Sequence, residues 1–287
     1  MNLTLLGTGC PSVNGNRFGP SNIVFNKNTK ILIDCGSGVT QRLNQAGFTG
    51  ADIDLLLLTH LHSDHVIDFY QLIISSWHQY RKKAWKIIGP KGLKKFIKST
   101  MNTWQNEREL RIHFEKRSSI KAFDLEVYEI QRDGNIQIND INVEYFRVDH
   151  WPVKYAFGFN FLNKGKKITI SGDTKPCNNL NRHAMYADIL LHEVFIKEEI
   201  KPKNGIRSVE TLNNVMSYHT LSTEVGKIAK KVKAKNLVLT HFVPPVFNEI
   251  KLLKKIKYDF RKNTILGKDL MTINIEGKVK NQIITQK

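Results

Sequence analysis

The sequence predicts a mixed α/β protein with a core of two β-sheets flanked by helices. Strand-like and helical stretches occur in both halves of the 287-residue chain, and no Gly/Ser-rich or Pro-rich linker separates the halves. Several architectures of about 250 residues or more form one domain. We therefore expect a single domain that spans residues 1–287.

The first third of the chain alternates between short strands and helices. Runs rich in leucine and β-branched residues, bounded by Gly, Asn, Pro or Asp, predict strands. These strands cover residues 2–6, 22–25, 30–34 and 54–59. Apolar residues at helical spacing predict helices over residues 38–47, 66–81 and 92–104.

The middle of the chain is predicted to be mainly β, and the C-terminal part alternates again. The same strand pattern covers residues 124–131, 136–148, 156–161, 167–171, 188–192 and 236–240. Helices are predicted over residues 179–185 and from Ser222, a suitable N-cap, onwards. In this last helix Val225, Ile228 and Val232 share one apolar face.

The chain is strongly basic, since 44 Lys and Arg against 26 Asp and Glu give a formal net charge of +18. Such an excess suits the neutralisation of nucleic-acid phosphates. Lysine is frequent throughout the sequence, however, so the charge is equally consistent with a solvated surface. Both interpretations remain open, and no motif typical of a nucleic-acid-binding fold accompanies the basic residues.

Location and redox state follow from what the sequence lacks. No apolar run approaches the roughly 20 residues that span a bilayer, so we expect no membrane association. The N-terminus lacks the basic start and long apolar stretch of a secretory signal, which predicts a cytoplasmic protein. The three cysteines are too few for a disulfide framework in a chain of this length.

The densest group of chemically active residues is the sequence Thr-His-Leu-His-Ser-Asp-His at residues 59–65, which follows an apolar strand. His60 and His62 point the same way because side chains in extended backbone repeat every two residues. The following turn directs Asp64 and His65 toward a second position. Imidazole and carboxylate suit zinc, and manganese or iron as well. The motif therefore predicts two bound ions, either two Zn²⁺ or Mn²⁺ or Fe in their place.

This motif, His60-x-His62-x-Asp64-His65 after an apolar strand, is similar to the signature of the metallo-β-lactamase superfamily. The resemblance implies a four-layer αββα sandwich with metals at one edge. It also implies further ligands at the ends of later strands. The matching residues are His150, Asp173 and His241.

By analogy with that family, the ligands divide into two sets joined by Asp173 as a bridge. One ion would be held by His60, His62 and His150. The other would be held by Asp64, His65 and His241.

A narrower resemblance covers nearly the whole chain. Residues 6–9, 17–20, 171–177, 191–193 and 218–220 resemble the branch that contains ribonuclease Z and the related arylsulfatase-like hydrolases. The stretches around His150 and His241 look closer to the arylsulfatase-like members. The resemblance implies that Glu193 and His219 act together on the leaving group. His192, beside Glu193, is equally consistent with support for a metal ligand and with a structural role.

One departure from ribonuclease Z concerns substrate docking. In that enzyme a flexible arm that grips tRNA is inserted between the positions that match His150 and Asp173. Only 22 residues separate these positions here, and two predicted strands and a turn account for them. We therefore expect no such arm, which argues against the usual mode of tRNA binding.

The combined prediction is a dinuclear zinc-dependent hydrolase of phosphodiester or sulfate esters, acting on a small anionic ester. A hydroxide that bridges the two metals is the expected nucleophile. Asp64 would orient it, and His219, steered by Glu193, would protonate the departing oxygen. A homodimer is expected from the resemblance.

Two alternatives remain open. The first is a ribonuclease Z-like endonuclease that processes tRNA 3′ ends, which makes RNA the partner and is favoured by the net charge. The second is a nucleic-acid-binding protein on a degenerate hydrolase fold. A degenerate site would be expected to have lost ligands, and none is missing from the sequence.

Overall fold

Two mixed β-sheets pack face to face, and helices cover the outer face of each sheet. The computed structural model describes residues 1–280 of the chain. Within these residues the layers follow the αββα order that the resemblance implies, so the predicted fold class is confirmed.

The first sheet combines strands from the N-terminal half with two from the C-terminal end. Its members are β1 (Asn2–Gly7), β2 (Ser21–Phe25), β3 (Lys30–Ile33), β4 (Leu55–Leu57), β5 (Trp85–Pro90), β6 (Leu125–Ile130), β14 (Met271–Asn274) and β15 (Val279–Lys280). Their spatial order is β15-β14-β1-β2-β3-β4-β5-β6.

The second sheet is built from the middle and later parts of the chain. Its members are β7 (Gly134–Ile138), β8 (Ile141–His150), β9 (Val153–Asn163), β10 (Lys166–Ile170), β11 (Ile189–Phe195), β12 (Asn236–Val243) and β13 (Asn263–Leu266). Their spatial order is β13-β12-β11-β10-β9-β8-β7. Strands β10 to β13 are parallel neighbours.

The helices lie on the two outer faces and in the connections. They are α1 (Val39–Gln45), α2 (Ser63–Val66), α3 (Phe69–His78), α4 (Leu93–Thr103), α5 (Gln105–Glu115), α6 (Asn178–His183), α7 (Val209–Met216), α8 (Val225–Lys231) and α9 (Glu249–Asp259). None of the helices within residues 1–280 is long and apolar enough to span a bilayer.

Strand alternation separates the inner core from the outer ones. Along β4, Leu55 and Leu57 enter the core between the sheets, whereas Leu56 packs in the cluster beneath the helices of the first sheet. Phe157 and Phe159 of β9 face the same inner core. Because successive side chains point to opposite faces, an unbroken apolar run fits a strand that is covered on both sides.

Three predicted elements are wrong in detail. The predicted helix over 66–81 is shorter in the structure, since α3 begins at Phe69 and ends at His78 and Val66 belongs to α2. Asp68, just before α3, accepts a hydrogen bond from Gly38 N at 2.7 Å. The predicted strand over 136–148 divides at Asn139, which has a φ of 48° in the turn between β7 and β8. Ser222 does not cap α8: Glu224 holds that position, and the Ser222 hydroxyl donates to Glu198 at 3.1 Å.

Candidate metal centre

The candidate centre lies at one edge of the two sheets, where several parallel strands end. Strands β3 and β4 are parallel, as are β10, β11 and β12. The carboxyl ends of parallel strands meet at the same edge. Asp34 follows β3, His60 follows β4 and Asp173 follows β10, so their side chains converge.

All seven sequence-predicted ligands meet at this edge in two groups. Ligand atoms within each group lie within 4.8 Å of one another, and the groups are His60, His62, His150 and Asp173, and Asp64, His65 and His241.

The carboxylate of Asp173 lies between the two groups. Its Oδ2 atom is 3.9 Å from His60 Nε2 and 4.0 Å from His150 Nε2 in the first group. In the second group it is 3.4 Å from His65 Nε2 and 3.3 Å from His241 Nε2. One oxygen faces four imidazole nitrogens, which is the position that a bridging ligand requires.

Special backbone geometry places Asp173 and His241. Gly172, just before Asp173, has a φ of 60°, and a Cβ there would lie 2.7 Å from Phe157 O, so glycine is required. His241 is the extra residue of a β-bulge, because Glu193 pairs with Thr240 while the next residue pairs with Phe242. Its φ of 46° is left-handed. Bulges re-aim side chains next to active sites, and here the bulge turns His241 toward Asp173.

Asp34 orients His65 directly and His60 through Thr59. Its carboxylate accepts hydrogen bonds from His65 Nδ1 at 2.8 Å, from Thr59 N at 2.8 Å and from the Thr59 hydroxyl at 2.9 Å. The Thr59 hydroxyl oxygen lies 3.0 Å from His60 Nδ1 and accepts from it. Both rings therefore present Nε2 to the centre, as metal-ligating histidines do when a second group holds their other nitrogen.

His150 is held by backbone rather than by a side chain. Its Nδ1 donates to the carbonyl oxygen of Tyr218 at 2.9 Å, and its Nε2 lies 3.4 Å from His62 Nδ1. His62 thus presents Nδ1 to the same point that His60 and His150 approach with Nε2.

The residues present fit a pair of divalent cations. The Nε2 atoms of His60 and His65 are buried and have no hydrogen-bond partner within the described residues. A buried polar atom without a partner destabilises the protein by about 1–3 kcal/mol. Cations between these nitrogens and the carboxylates of Asp64 and Asp173 would satisfy both atoms, and the set of imidazoles and carboxylates suits zinc-class ions.

The pKa values of the ligand histidines shift in opposite directions in the two groups. Burial lowers the pKa of His60 well below its ordinary value, and it lowers the pKa of His150 as well, so both rings are neutral and able to ligate. Burial opposes charge on His65 too, but the carboxylates of Asp173 and Asp34 outweigh it and hold its pKa well above the ordinary value. A cation at that position therefore competes with a proton, and metal binding releases it.

Beside the ligands lies the predicted acid pair. His219 Nδ1 is 2.9 Å from both carboxylate oxygens of Glu193, and both side chains are buried. The ring of His219 lies 5.1 Å from the ring of His150, centroid to centroid. Glu193 thus fixes one nitrogen of His219, and a nitrogen of this ring lies within 4.8 Å of ligand atoms of Asp173 and His241.

His192 points away from this chemistry. It is buried, and among the described residues its ring hydrogen-bonds only to the carbonyl oxygen of Glu193, at 2.8 Å. Burial lowers its pKa to about 4. Of its two predicted roles, the structural one accounts for these contacts.

A cleft of about 450 Å³ opens beside Asp64. It is lined by apolar groups of the loop that follows β1 and of the turn after α2, among them Val13, Phe18 and Ile67. Val13 is fully exposed and Ile67 largely so. An anionic ester bound at the centre therefore meets an apolar wall on the Asp64 side.

Sequence reasoning missed Asp34, Thr59 and the carbonyl of Tyr218 as supports of the centre. A signal existed for Asp34, because an aspartate directly after a predicted strand, parallel to the strand that precedes the histidine motif, lies at the same edge. The role of Tyr218 depends on its backbone, for which the residue type carries no signal.

Comparison with known protein families identifies the group to which this geometry belongs. Residues 1–243 match the family model described as Anti-Pycsar protein Apyc1. The chain belongs to this family. It is a member of the metallo-β-lactamase superfamily, in a ribonuclease Z-like branch.

Curated relatives carry the name ribonuclease Z. The protein from Mycolicibacterium paratuberculosis (strain ATCC BAA-968 / K-10) is 31% identical over 282 residues, which cover 96% of this chain and 98% of the relative. The protein from Mycobacterium bovis (strain BCG / Pasteur 1173P2) is 30% identical over 251 residues, covering 86% of this chain and 87% of the relative.

Solved structures show the same fold. Human tRNase Z, short form, superposes with a TM-score of 0.70 at 24% identity, covering 96% of this chain and 99% of that one. The metallo-β-lactamase fold protein YhfI from Bacillus subtilis gives a TM-score of 0.71 at 19% identity, covering 94% and 98%. The curated relatives, rather than these structures, show that the chain is a metal-dependent hydrolase of ribonuclease Z type, as the sequence motifs predict at this level.

Proposed function

We propose that this protein is a dinuclear metal-dependent phosphodiesterase whose substrate is RNA. The observation that carries the proposal is the position of Asp173 Oδ2, 3.3–4.0 Å from four imidazole nitrogens and next to the buried His219–Glu193 pair. The names of the curated relatives favour a ribonuclease, so RNA is preferred to the small anionic ester predicted from the sequence as the substrate.

Each residue of the centre has a proposed role. His60, His62 and His150 would hold one ion, Asp64, His65 and His241 the other, and Asp173 both. When bound, the pair of ions supplies Lewis-acid charge for the phosphoryl oxygens and lowers the pKa of water from about 15.7 toward 7.

The chain's own groups complete the reaction. Asp64 Oδ2 is 3.3 Å from His241 Nε2, and its carboxylate would accept the proton of the attacking water. His219 would donate a proton to the departing oxygen while Glu193 stabilises the charged ring. Such acid catalysis contributes about 10²- to 10⁴-fold to the rate.

The missing arm does not exclude RNA. Residues between His150 and Asp173 form only the β9–β10 hairpin and its flanking turns, as predicted. The mycobacterial ribonuclease Z nevertheless aligns over 98% of its length with 96% of this chain, so a relative with that name matches a chain of this size.

A second candidate is a phosphodiesterase of small substrates in the cytoplasm. The short connection between His150 and Asp173 supports it, and so does the apolar cleft of about 450 Å³ beside Asp64, which suits a small ester with an apolar part. Sulfate esters and a homodimer, both predicted from the sequence, remain predictions.

One comparison separates these candidates. Metal-loaded protein is assayed with a precursor tRNA, bis-p-nitrophenyl phosphate and p-nitrophenyl sulfate at several salt concentrations. Efficient RNA cleavage that falls steeply with salt supports the ribonuclease. Turnover of the small diester without RNA cleavage supports the second candidate, and zinc binding without turnover of any ester would indicate a binding protein.

A further inference from the structure

A surface excursion of 22 residues, 197–218, separates the two members of the acid pair. Its base is closed by backbone hydrogen bonds, in which Phe195 N donates to Thr220 O and Ser222 N donates to Phe195 O, each at 2.8 Å. Within the excursion only Leu212 is buried. This segment contributes almost nothing to the core, so stability alone does not account for its length.

The outer part of the excursion carries unpaired positive charge. Residues 200–209 include Lys201, Lys203 and Arg207 and no acidic residue. None of the three cations forms an ion pair within the described part of the chain. Backbone hydrogen bonds between Lys203 and Arg207, at 2.8 and 2.9 Å, close a tight turn that holds these two cations together, and Lys201 lies two residues before the turn.

Two of the three acids in the excursion are engaged at its base. Glu198 pairs with Lys255, and Glu199 accepts a hydrogen bond from Asn248 N at 3.3 Å. These two acids are thus held against α9, whereas Lys201 and Lys203 are exposed and Arg207 is partly exposed. The third acid, Glu210, lies in α7 and is exposed as well. Free cations on a short turn suit an anionic partner, since lysine offers a point charge and arginine a two-pronged donor to phosphate.

The excursion is joined directly to the catalytic edge. It begins four residues after Glu193 and ends at Tyr218, whose carbonyl holds His150 and whose ring lies 5.0 Å from the His150 ring. Extended chain spans at most about 3.5 Å per residue, so a turn roughly ten residues from Tyr218 lies within about 35 Å of the centre. A polymeric substrate can extend from the centre to this turn, whereas the cleft beside Asp64 is lined by no residue of the excursion, so a small diester held in it does not use these cations.

We propose that Lys201, Lys203 and Arg207 form an exosite that binds RNA backbone phosphates away from the scissile bond. The inference rests on the proposed ribonuclease function and assigns its substrate grip to this segment. Because phosphate contacts position a nucleic acid without reading its sequence, the exosite raises affinity for RNA in general.

The test is the triple variant Lys201→Gln, Lys203→Gln, Arg207→Gln. Its matched control is Lys227→Gln, Lys230→Gln, Lys231→Gln, which removes the same charge from exposed positions on α8. Helix α8 ends just before β12 begins, so its last two lysines lie toward the opposite edge of the sheet from His241. The measurement is kcat/KM for a precursor tRNA between 50 and 200 mM salt.

Three phosphate contacts to single-stranded RNA give a slope of about −2 in a plot of log kcat/KM against log salt. The wild-type protein and the control should therefore lose about 20-fold more activity over this fourfold change in salt than the exosite variant. The exosite variant should also show a higher KM for RNA with an unchanged kcat. Turnover of bis-p-nitrophenyl phosphate should be the same in all three proteins, which verifies folding.

The outcomes separate this inference from the function on which it rests. If RNA is cleaved and the exosite variant keeps the salt dependence of the control, the exosite is wrong and the ribonuclease stands. If wild-type protein turns over the small diester but neither binds nor cleaves RNA, both are wrong.

Discussion

Replacing Asp34 by asparagine should weaken binding of the second metal without disturbing the fold. Asp34 has a φ of 60°, a left-handed conformation that asparagine tolerates better than most residues. The new amide oxygen can still accept from Thr59 N, now 2.8 Å from Oδ1. The amide nitrogen, however, would face His65 Nδ1, which donates to Oδ2 at 2.8 Å in the wild-type protein.

That exchange places two donors against each other, so His65 must lose its orientation or its tautomer. Loss of such a partner to a ligating histidine typically lowers metal affinity by 10- to 100-fold. This corresponds to about 1.4–2.8 kcal/mol of binding free energy.

The assay is a zinc titration of metal-free protein against a chelator of known affinity. Asp54→Asn is the control, because Asp54 also accepts a backbone hydrogen bond at 2.8 Å, from Lys30 N. Asp54 precedes β4, so it lies at the opposite end of the strands from Asp34, which follows β3. The reasoning is refuted if Asp34→Asn binds both zinc ions within threefold of wild-type affinity, or if Asp54→Asn loses as much.

Three further predictions address the acid pair, the metal pair and a buried histidine. His219→Ala should slow cleavage of diesters with alkoxide leaving groups by about 10²- to 10⁴-fold and p-nitrophenyl esters far less, with zinc content unchanged; equal losses on both substrates would remove His219 from the acid role. When free zinc is a hundredfold above Kd for two sites, removing it with a chelator should lower the free energy of unfolding by about 5 kcal/mol and Tm by about 10 °C or more. Calorimetry measures this shift, and an unchanged Tm would contradict metal binding by the folded chain. Burial lowers the pKa of His192 from 6.5 to about 4, so on acidification this residue binds its proton first in the unfolded chain. Its contribution to the free energy of unfolding is therefore fully present above pH 6.5 and is lost as pH falls toward 4. The loss is about 3 kcal/mol, and His192→Asn should show a correspondingly shallower pH dependence in urea unfolding of metal-free protein; identical curves would show that His192 does not titrate in this range.

The metal centre was predictable from the sequence because its ligands follow strands whose own pattern is strong. An apolar strand before His60 and another before Asp173 fix which edge the ligands share, and the histidine motif fixes their chemistry. The support from Asp34 required knowledge of which strands are parallel neighbours. The bulge at His241 has no residue signature, since the pairing of β11 with β12 creates it.

Whole elements escaped prediction for different physical reasons. Helix α5 buries no side chain, so it shows no apolar face that a periodic pattern would reveal. Helix α9 did carry a signal: Leu252 and Ile256 are buried four residues apart, and Asn248 caps the helix by accepting from Lys251 N at 3.0 Å. The helix predicted over 66–81 begins only at Phe69, and at its start Asp68 makes a tertiary contact that sequence periodicity does not show, accepting from Gly38 N, 30 residues away.

Two cations bound between these side chains are the basis of the proposed chemistry. The most direct measurement is diffraction at the zinc absorption edge from crystals grown with zinc. Two anomalous peaks are expected about 3.5–4 Å apart, one about 2.0–2.2 Å from nitrogens of His60, His62 and His150, and the other similarly close to His65 and His241. A map without peaks among these residues, or with zinc bound only elsewhere on the chain, would contradict it.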